Sequence, residues 1–134
     1  VPDIVLPDMS EEIFRLKNTQ KEHTLILFWA SWCGHCEALL KEMIRLESRF
    51  EEAGIAIVTV SLDDSQEDLK SHLKTNPLPW PILCDYKGWK SPVSEAYHIY
   101  ATPTMILVDA DFEIVDKPLN LNQLMKVVNR VEQE

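Results

Sequence analysis

The sequence predicts an α/β fold in which helices cover both faces of a central sheet. Strand-like and helix-like segments alternate along the chain, which is the order expected of a layered α/β protein. The run Thr24–Ala30 is apolar on both faces, as a buried parallel strand is, and helical periodicity follows over Glu37–Phe50. A chain of 134 residues suffices for one hydrophobic core, so we expect residues 1–134 to form a single domain.

The other elements are predicted from β-branched runs, helical spacing and the positions of proline and glycine. Val1–Asp8 is expected to be extended, and Ser10 is expected to cap a short helix over Glu11–Asn18. Gly54 is expected to end the helix that starts at Glu37. Beyond it we expect a strand over Ile55–Leu62, a helix over Gln66–Lys74, a short strand over Ile82–Cys84, a helical turn within Ser94–His98, a hairpin of Met105–Asp109 with Glu113–Val115, and a last helix capped by Asn120 or Asn122.

The composition excludes several function classes. Lys and Arg number 13 against 22 Asp and Glu, a net charge of −9, and no basic cluster offers a patch for nucleic acid or anionic lipid. No apolar run approaches the ~20 residues that span a bilayer, so no membrane insertion is expected within this sequence. The chain opens Val1-Pro2-Asp3 without Met or a signal-peptide pattern. We therefore expect any export signal, anchor or further domain to lie outside it.

The main chemical feature is the segment Cys33-Gly34-His35-Cys36. It lies between the apolar strand and the following helix, where the helix dipole and free N–H groups stabilise a thiolate. Cys36 would then lie one helical turn beyond Cys33, on the same side, within reach of a disulfide. We expect Cys33 to be the exposed cysteine with the lowered pKa and Cys36 to be the shielded one. This spacing indicates a redox pair that needs no bound cofactor.

Other readings of these residues stay open. A protonated His35 would stabilise the Cys33 thiolate; otherwise it is an exposed turn residue of little influence. Zinc is a minor alternative, because a structural site needs four ligands and the remaining candidates are scattered in the sequence: Cys84, His23, His72 and His98. We expect no metal, and we expect Cys84 to be a small buried residue.

Four segments carry a family resemblance. Phe28–Cys36 resembles the active-site strand and turn of thioredoxin-fold proteins, and Ala101–Thr104 resembles their second hallmark. Val1–Asp8 and Asp63–Cys84 resemble the N-terminal extension and central insertion of the TlpA/ResA-like branch. The resemblance covers essentially the whole chain. It implies a thioredoxin-like fold, with a mixed β-sheet flanked by helices on both faces.

The resemblance also implies roles for individual residues. Pro103 is expected to be cis and packed beside the cysteine pair, and Thr102 is expected to offer its backbone to an extended substrate segment. Trp32 would shield the pair and contact substrate. Thioredoxins carry a buried Asp where this strand has Leu27, whereas TlpA/ResA-like proteins place a carboxylate after the next strand, which points to Asp64. Asp64, next to Asp63, can also be interpreted as a helix cap, and a role in proton transfer is compatible with that.

The function that these features imply is a monomeric thiol–disulfide oxidoreductase acting on protein thiols or disulfides. The resemblance implies a bacterial, extracytoplasmic protein, for example a periplasmic one, that serves cell redox homeostasis as a reductant recharged by a membrane electron donor. His35, as found in protein disulfide isomerases, favours an oxidant or isomerase instead. A peroxidase is a weaker alternative, because the spacing fits disulfide cycling better than peroxide attack by a lone Cys. The alternative of another class is a non-catalytic binding domain of a larger protein.

Overall fold

A computed structural model describes residues 1–133 of the chain. Short 3₁₀ turns occur at Leu16–Asn18 and Gly88–Lys90. The strands and helices run in the order β1 (Val5–Pro7), β2 (Ile13–Arg15), β3 (His23–Trp29), α1 (Gly34–Arg45), α2 (Glu47–Glu52), β4 (Ile55–Ser61), α3 (Gln66–Thr75), β5 (Ile82–Leu83), α4 (Pro92–Ala96), β6 (Thr104–Asp109), β7 (Ile114–Asp116) and α5 (Leu121–Glu132).

Five strands form a mixed sheet in the order β5-β4-β3-β6-β7. The central strand β3 runs parallel to β4 and antiparallel to β6, and β5 runs parallel to β4. The sequence therefore predicts the α/β class and the central buried strand correctly. Because β3, β4 and β5 are parallel, the residues that follow them meet at one edge of the sheet.

The alternating side chains of β3 divide the core into two layers. Leu25, Leu27 and Trp29 point to one face, where they join buried residues of α1, α2, α3 and α5. Ile26 and Phe28 point to the other face and pack with the N-terminal segment and the α4 region. Helices thus cover both faces, as predicted. No helix within residues 1–133 is both long and apolar enough to cross a membrane.

The prediction of a helix over Glu11–Asn18 is wrong. Residues 13–15 instead form β2, which pairs antiparallel with β1. The Asp8 carboxylate accepts the backbone N–H groups of Ser10 at 2.8 Å and Glu12 at 3.1 Å, and Glu11 has φ 65°. This turn reverses the chain before a helix can start, because the positive φ of Glu11 and the hydrogen bond from the Asp8 N–H to the Glu12 carbonyl oxygen do not occur in a helix.

The helix expected over Glu37–Phe50 begins earlier and is interrupted. It starts at Gly34, directly after Cys33, and breaks at Leu46, whose φ and ψ of −103° and 13° separate α1 from α2. Gly54 follows the end of α2 with φ 71°, a conformation that glycine adopts at little cost, as predicted. The last helix is confirmed as well, since Asn120 Oδ1 accepts the N–H of Gln123 at 2.8 Å.

Candidate active site

The cysteine pair lies at the start of α1. Cys33 is the residue that caps the helix, and its Sγ accepts the backbone N–H of Cys36 at 3.2 Å. The two sulfur atoms form a disulfide, with the Cα atoms 5.2 Å apart. Cys33 is 8% exposed and Cys36 is fully buried. An incoming sulfur atom can therefore reach only Cys33, and the N-terminal N–H groups of α1 stabilise negative charge on it.

The second hallmark segment lies directly against the first. The Thr102–Pro103 peptide bond is cis, which confirms the prediction for Pro103. Cys33 Sγ lies 3.6 Å from the carbonyl oxygen of Thr102. The pairing of Phe28 with Thr104, between β3 and β6, brings together these segments from distant parts of the sequence. Thr102 and Pro103 are half-buried, and the substrate-binding role expected of them stays a prediction.

The rim of the site is formed by exposed residues. Gly34 and His35 are exposed at the start of α1, and a Cβ built on Gly34 would meet nothing within 4 Å. Trp32 is 55% exposed, and its ring centroid lies 6.2 Å from that of Trp89. The structure thus places Trp32, Gly34 and His35 at the surface next to Cys33, with Cys36 buried beneath it. The roles predicted for these side chains stay predictions.

The structure separates the two aspartates that follow β4. Asp64 is exposed, and the residue that caps α3 is Ser65, whose Oγ accepts the N–H of Asp68 at 3.2 Å. The reading of Asp64 as the helix cap is therefore wrong. The aspartate beside it, Asp63, is the buried one and lies two residues beyond the end of β4. The role of Asp64 in proton transfer stays a prediction.

Asp63 is the residue that sequence reasoning passed over. It is 1% exposed, and its carboxylate accepts the Ser31 N–H at 3.0 Å, the Ser31 hydroxyl and the Ser61 hydroxyl at 2.5 Å. Ser31 precedes Cys33 by two residues, so the buried carboxylate ties the end of β4 to the turn that carries the reactive cysteine. The sequence signal that could have identified Asp63 is the pair of serines, Ser31 and Ser61, near the ends of the neighbouring parallel strands β3 and β4.

Cys84 follows β5 at the same edge of the sheet. It is 2% exposed, as predicted, and its Sγ lies 3.6 Å from the carbonyl oxygen of Asp63. Burial raises the pKa of its thiol, an effect that the N–H of Tyr86, at 3.4 Å from the sulfur, partly opposes. Cys84 is thus held as a neutral thiol at neutral pH. Within residues 1–133, no group of three or more His, Cys, Asp and Glu side chains is arranged to hold a metal ion.

Comparison with known proteins places this geometry in a family. The model of the AhpC/TSA family matches residues 1–117. The chain belongs to the AhpC/TSA family. This AhpC/TSA protein is 28% identical over 116 residues to the thiol-disulfide oxidoreductase ResA of Bacillus cereus, a match that covers 87% of the chain and 65% of that relative. The chain therefore spans less than two thirds of the length of this relative.

Solved structures confirm the thioredoxin-like fold. The thioredoxin domain of a thiol-disulfide oxidoreductase from Bacteroides vulgatus superposes with a TM-score of 0.85 at 27% identity, covering 96% of this chain and 92% of that one. A thiol-disulfide oxidoreductase from Bacteroides fragilis gives a TM-score of 0.87 at 25% identity, with 97% of both chains covered. The resemblance to thioredoxin-fold proteins of the TlpA/ResA-like branch is confirmed by these relatives.

Proposed function

We propose that this protein is a thiol–disulfide oxidoreductase that exchanges its Cys33–Cys36 pair with protein substrates. The observation that carries the proposal is the position of Cys33: it caps α1, shields Cys36 behind it and faces the carbonyl of Thr102 at 3.6 Å. The relatives named as thiol-disulfide oxidoreductases support it. The reaction takes place at the two sulfur atoms and uses no further cofactor.

The pair works as a nucleophile followed by a resolving group. In the reduced protein the Cys33 thiolate attacks one sulfur of a substrate disulfide, which breaks and releases one substrate thiolate. Cys36 then loses its proton and attacks Cys33 Sγ, so the Cys33–Cys36 disulfide forms and the second substrate thiolate leaves. Two electrons pass to the substrate, and each of its released sulfurs takes up a proton. The reverse sequence oxidises a substrate dithiol.

The half-buried segment at Thr102 supports a binding mode for the substrate. Main-chain groups beside the nucleophile, next to the start of β6, can pair with an extended peptide as an added strand. Such pairing uses main-chain groups, so it accepts many sequences and holds the substrate sulfur in line with Cys33. We therefore assign protein thiols and disulfides as its substrates. We also propose that it works as a monomer.

The direction of electron flow follows from the TlpA/ResA-like resemblance. We assign the protein as a bacterial, extracytoplasmic reductant whose disulfide is reduced again by a dithiol donor in the membrane. His35 favours the opposite direction, because it is exposed between the two cysteines, where a positive charge stabilises the reduced pair. The midpoint potential of the pair decides between them, since ~30 mV corresponds to ~1.4 kcal/mol for two electrons.

Insulin reduction by dithiothreitol tests the activity. The wild-type protein is expected to accelerate insulin precipitation, and Cys33→Ser is expected to abolish the acceleration. Cys84→Ser is the matched control, because a serine hydroxyl can keep the contacts of the buried thiol to Asp63 and Tyr86. No acceleration by the wild-type protein, or equal acceleration by Cys33→Ser, would contradict the proposal and favour a binding domain.

A further inference from the structure

A surface pocket lies next to Trp32, the residue before the reactive cysteine. Two exposed tryptophans form one wall: Trp32 is 55% exposed, Trp89 is 44% exposed, and their rings are tilted by 51°. Lys87 and Lys90 are exposed residues of the same pocket, whose volume is about 450 Å³. We call it the Trp32–Trp89 pocket; its other lining residues are Leu62, Asp64 and Gly88.

The turn that carries Trp89 is built by specific contacts. Asp85 accepts the N–H of Lys87 at 3.1 Å and the hydroxyl of Ser91 at 2.7 Å, so its carboxylate closes the turn from both ends. Gly88 has φ 56°, and a Cβ there would lie 3.4 Å from Asp64 Cβ. The turn is therefore packed against the segment that follows β4. Trp89 is held at the surface next to Trp32 by this packing.

The tryptophans give the pocket an apolar wall. Side chains of this size are normally mostly buried, and a group of exposed aromatic residues is typical of binding surfaces. Tryptophan is also among the residues that contribute most to binding energy at protein interfaces. Because Trp32 precedes Cys33 in the chain, this wall adjoins the residue that a substrate sulfur must reach.

The charge of the pocket is opposite to that of the protein. The chain has a net charge of −9, yet the pocket contains Lys87 and Lys90 against the single carboxylate of Asp64. In the part of the chain that the structure describes, the ion pairs involve other cations: Lys41, Arg45, Arg49 and Arg130. Both pocket lysines thus remain available to a carboxylate of a bound molecule.

We infer that the Trp32–Trp89 pocket binds an aromatic side chain and a neighbouring carboxylate of the substrate, so that the enzyme prefers protein disulfides in acidic, aromatic segments. This inference rests on the proposed function and adds the substrate class. The apolar wall receives the aromatic ring, and Lys87 and Lys90 pair with the carboxylate. Charge complementarity of this kind sets specificity and association rate and weakens with salt.

Two matched peptides test the inference. Each contains the same intramolecular disulfide and the same tryptophan, flanked by two glutamates in one and two lysines in the other. The readout is the ratio of kcat/KM for reduction of the acidic over the basic peptide, which cancels any change in basal activity. For the wild type we expect a ratio of about five at low salt, falling towards one at high salt.

Substitutions inside and outside the pocket show which residues cause the preference for the acidic peptide. Lys87→Glu with Lys90→Glu is expected to invert the ratio, whereas Lys70→Glu with Lys74→Glu, the same charge change on exposed positions of α3, is expected to leave it above one. Trp89→Ala is expected to raise KM for both peptides. Equal rates for the two peptides in the wild type, or the same inversion in both lysine variants, would overturn the inference.

A small neutral disulfide separates this failure from failure of the proposed function. Hydroxyethyl disulfide contains neither an aromatic ring nor a charge, so its reduction by the wild type reports only on the cysteine pair. If it is reduced while the peptides show no preference, the substrate assignment alone is overturned. If the wild-type protein reduces neither this disulfide nor either peptide, the proposed function fails, and the substrate assignment fails with it.

Discussion

Replacement of Asp63 by alanine tests the contact that joins β4 to the cysteine turn. The change removes the acceptor of three donors: the N–H of Ser31, its hydroxyl and the hydroxyl of Ser61. Each hydrogen bond to a charged group contributes about 1.5–3 kcal/mol. Two effects reduce this cost. Ser31 is half-buried, so water can replace part of its lost hydrogen bonds, and the substitution also removes the desolvation cost of the buried carboxylate. We expect the free energy of unfolding to fall by about 2–3 kcal/mol.

Two further variants make this prediction specific. Asp64→Ala changes the neighbouring, exposed aspartate, and we expect it to cost less than about 0.5 kcal/mol. Asp63→Asn should keep most of the stability, because its amide oxygen can accept the Ser31 N–H and its amide nitrogen can donate to Ser31 Oγ. Urea unfolding followed by circular dichroism gives the three values. An equal decrease in the free energy of unfolding for Asp63→Ala and Asp64→Ala would refute the assignment of Asp63 as the buried carboxylate that connects β4 to the cysteine turn.

The same variants have a consequence for reactivity. Ser31 lies two residues before Cys33, so its release should loosen the turn that points the reactive sulfur at the start of α1. Misplacement of a reacting group by about 1 Å can cost ~100-fold in rate. We expect alkylation of reduced Cys33 at pH 7 to slow by about tenfold in Asp63→Ala and to recover in Asp63→Asn. No recovery in Asp63→Asn would show that the charge of the carboxylate matters more than its hydrogen bonds.

Three other predictions concern single groups. Asn120→Ala removes the cap of α5 and should lower the free energy of unfolding by about 1 kcal/mol, whereas Asn122→Ala within the helix should not; thermal unfolding measures both, and equal effects would contradict the capping role. Cys84 should resist iodoacetamide at pH 8 in the folded, reduced protein, because burial raises its pKa; labelling as fast as that of Cys33 would contradict this. Burial, and secondarily Asp3, also raises the pKa of Tyr97. Its contribution to stability is thus complete below the unfolded-state pKa of about 10 and is lost as pH rises above that value. The free energy of unfolding, measured between pH 9 and 11, should therefore fall less in Tyr97→Phe than in the wild type.

Hydrophobic pattern predicted most of the fold, because long buried segments show their periodicity locally. The run Thr24–Ala30 is apolar at every position but one, which is the pattern of a strand buried on both faces. The N-terminal hairpin could not be predicted in this way. Helix-like spacing over Glu11–Asn18 competes with the turn at Asp8 and with the pairing of β1 and β2, and only the folded chain decides between them.

The site was predictable where a motif specifies it. Cys33, Cys36 and Pro103 are identified by the residues around them, and the structure brings them together. The choice between Asp63 and Asp64 could not be predicted, because both lie beyond the end of β4 and only the folded loop shows which carboxylate meets Ser31 and Ser61. The position of Trp89 depends on the turn closed by Asp85, whose contacts are invisible in the sequence pattern.

The most direct test of the central claim is to trap the mixed disulfide. Cys36→Ser removes the resolving sulfur, so the substrate sulfur should remain bonded to Cys33 after attack. Incubation of the reduced variant with native, disulfide-bonded insulin, followed by mass spectrometry of the digested adduct, is expected to show one substrate chain attached at Cys33, and Cys33→Ser is expected to give no adduct. An adduct at Cys84, or none in Cys36→Ser, would contradict the account.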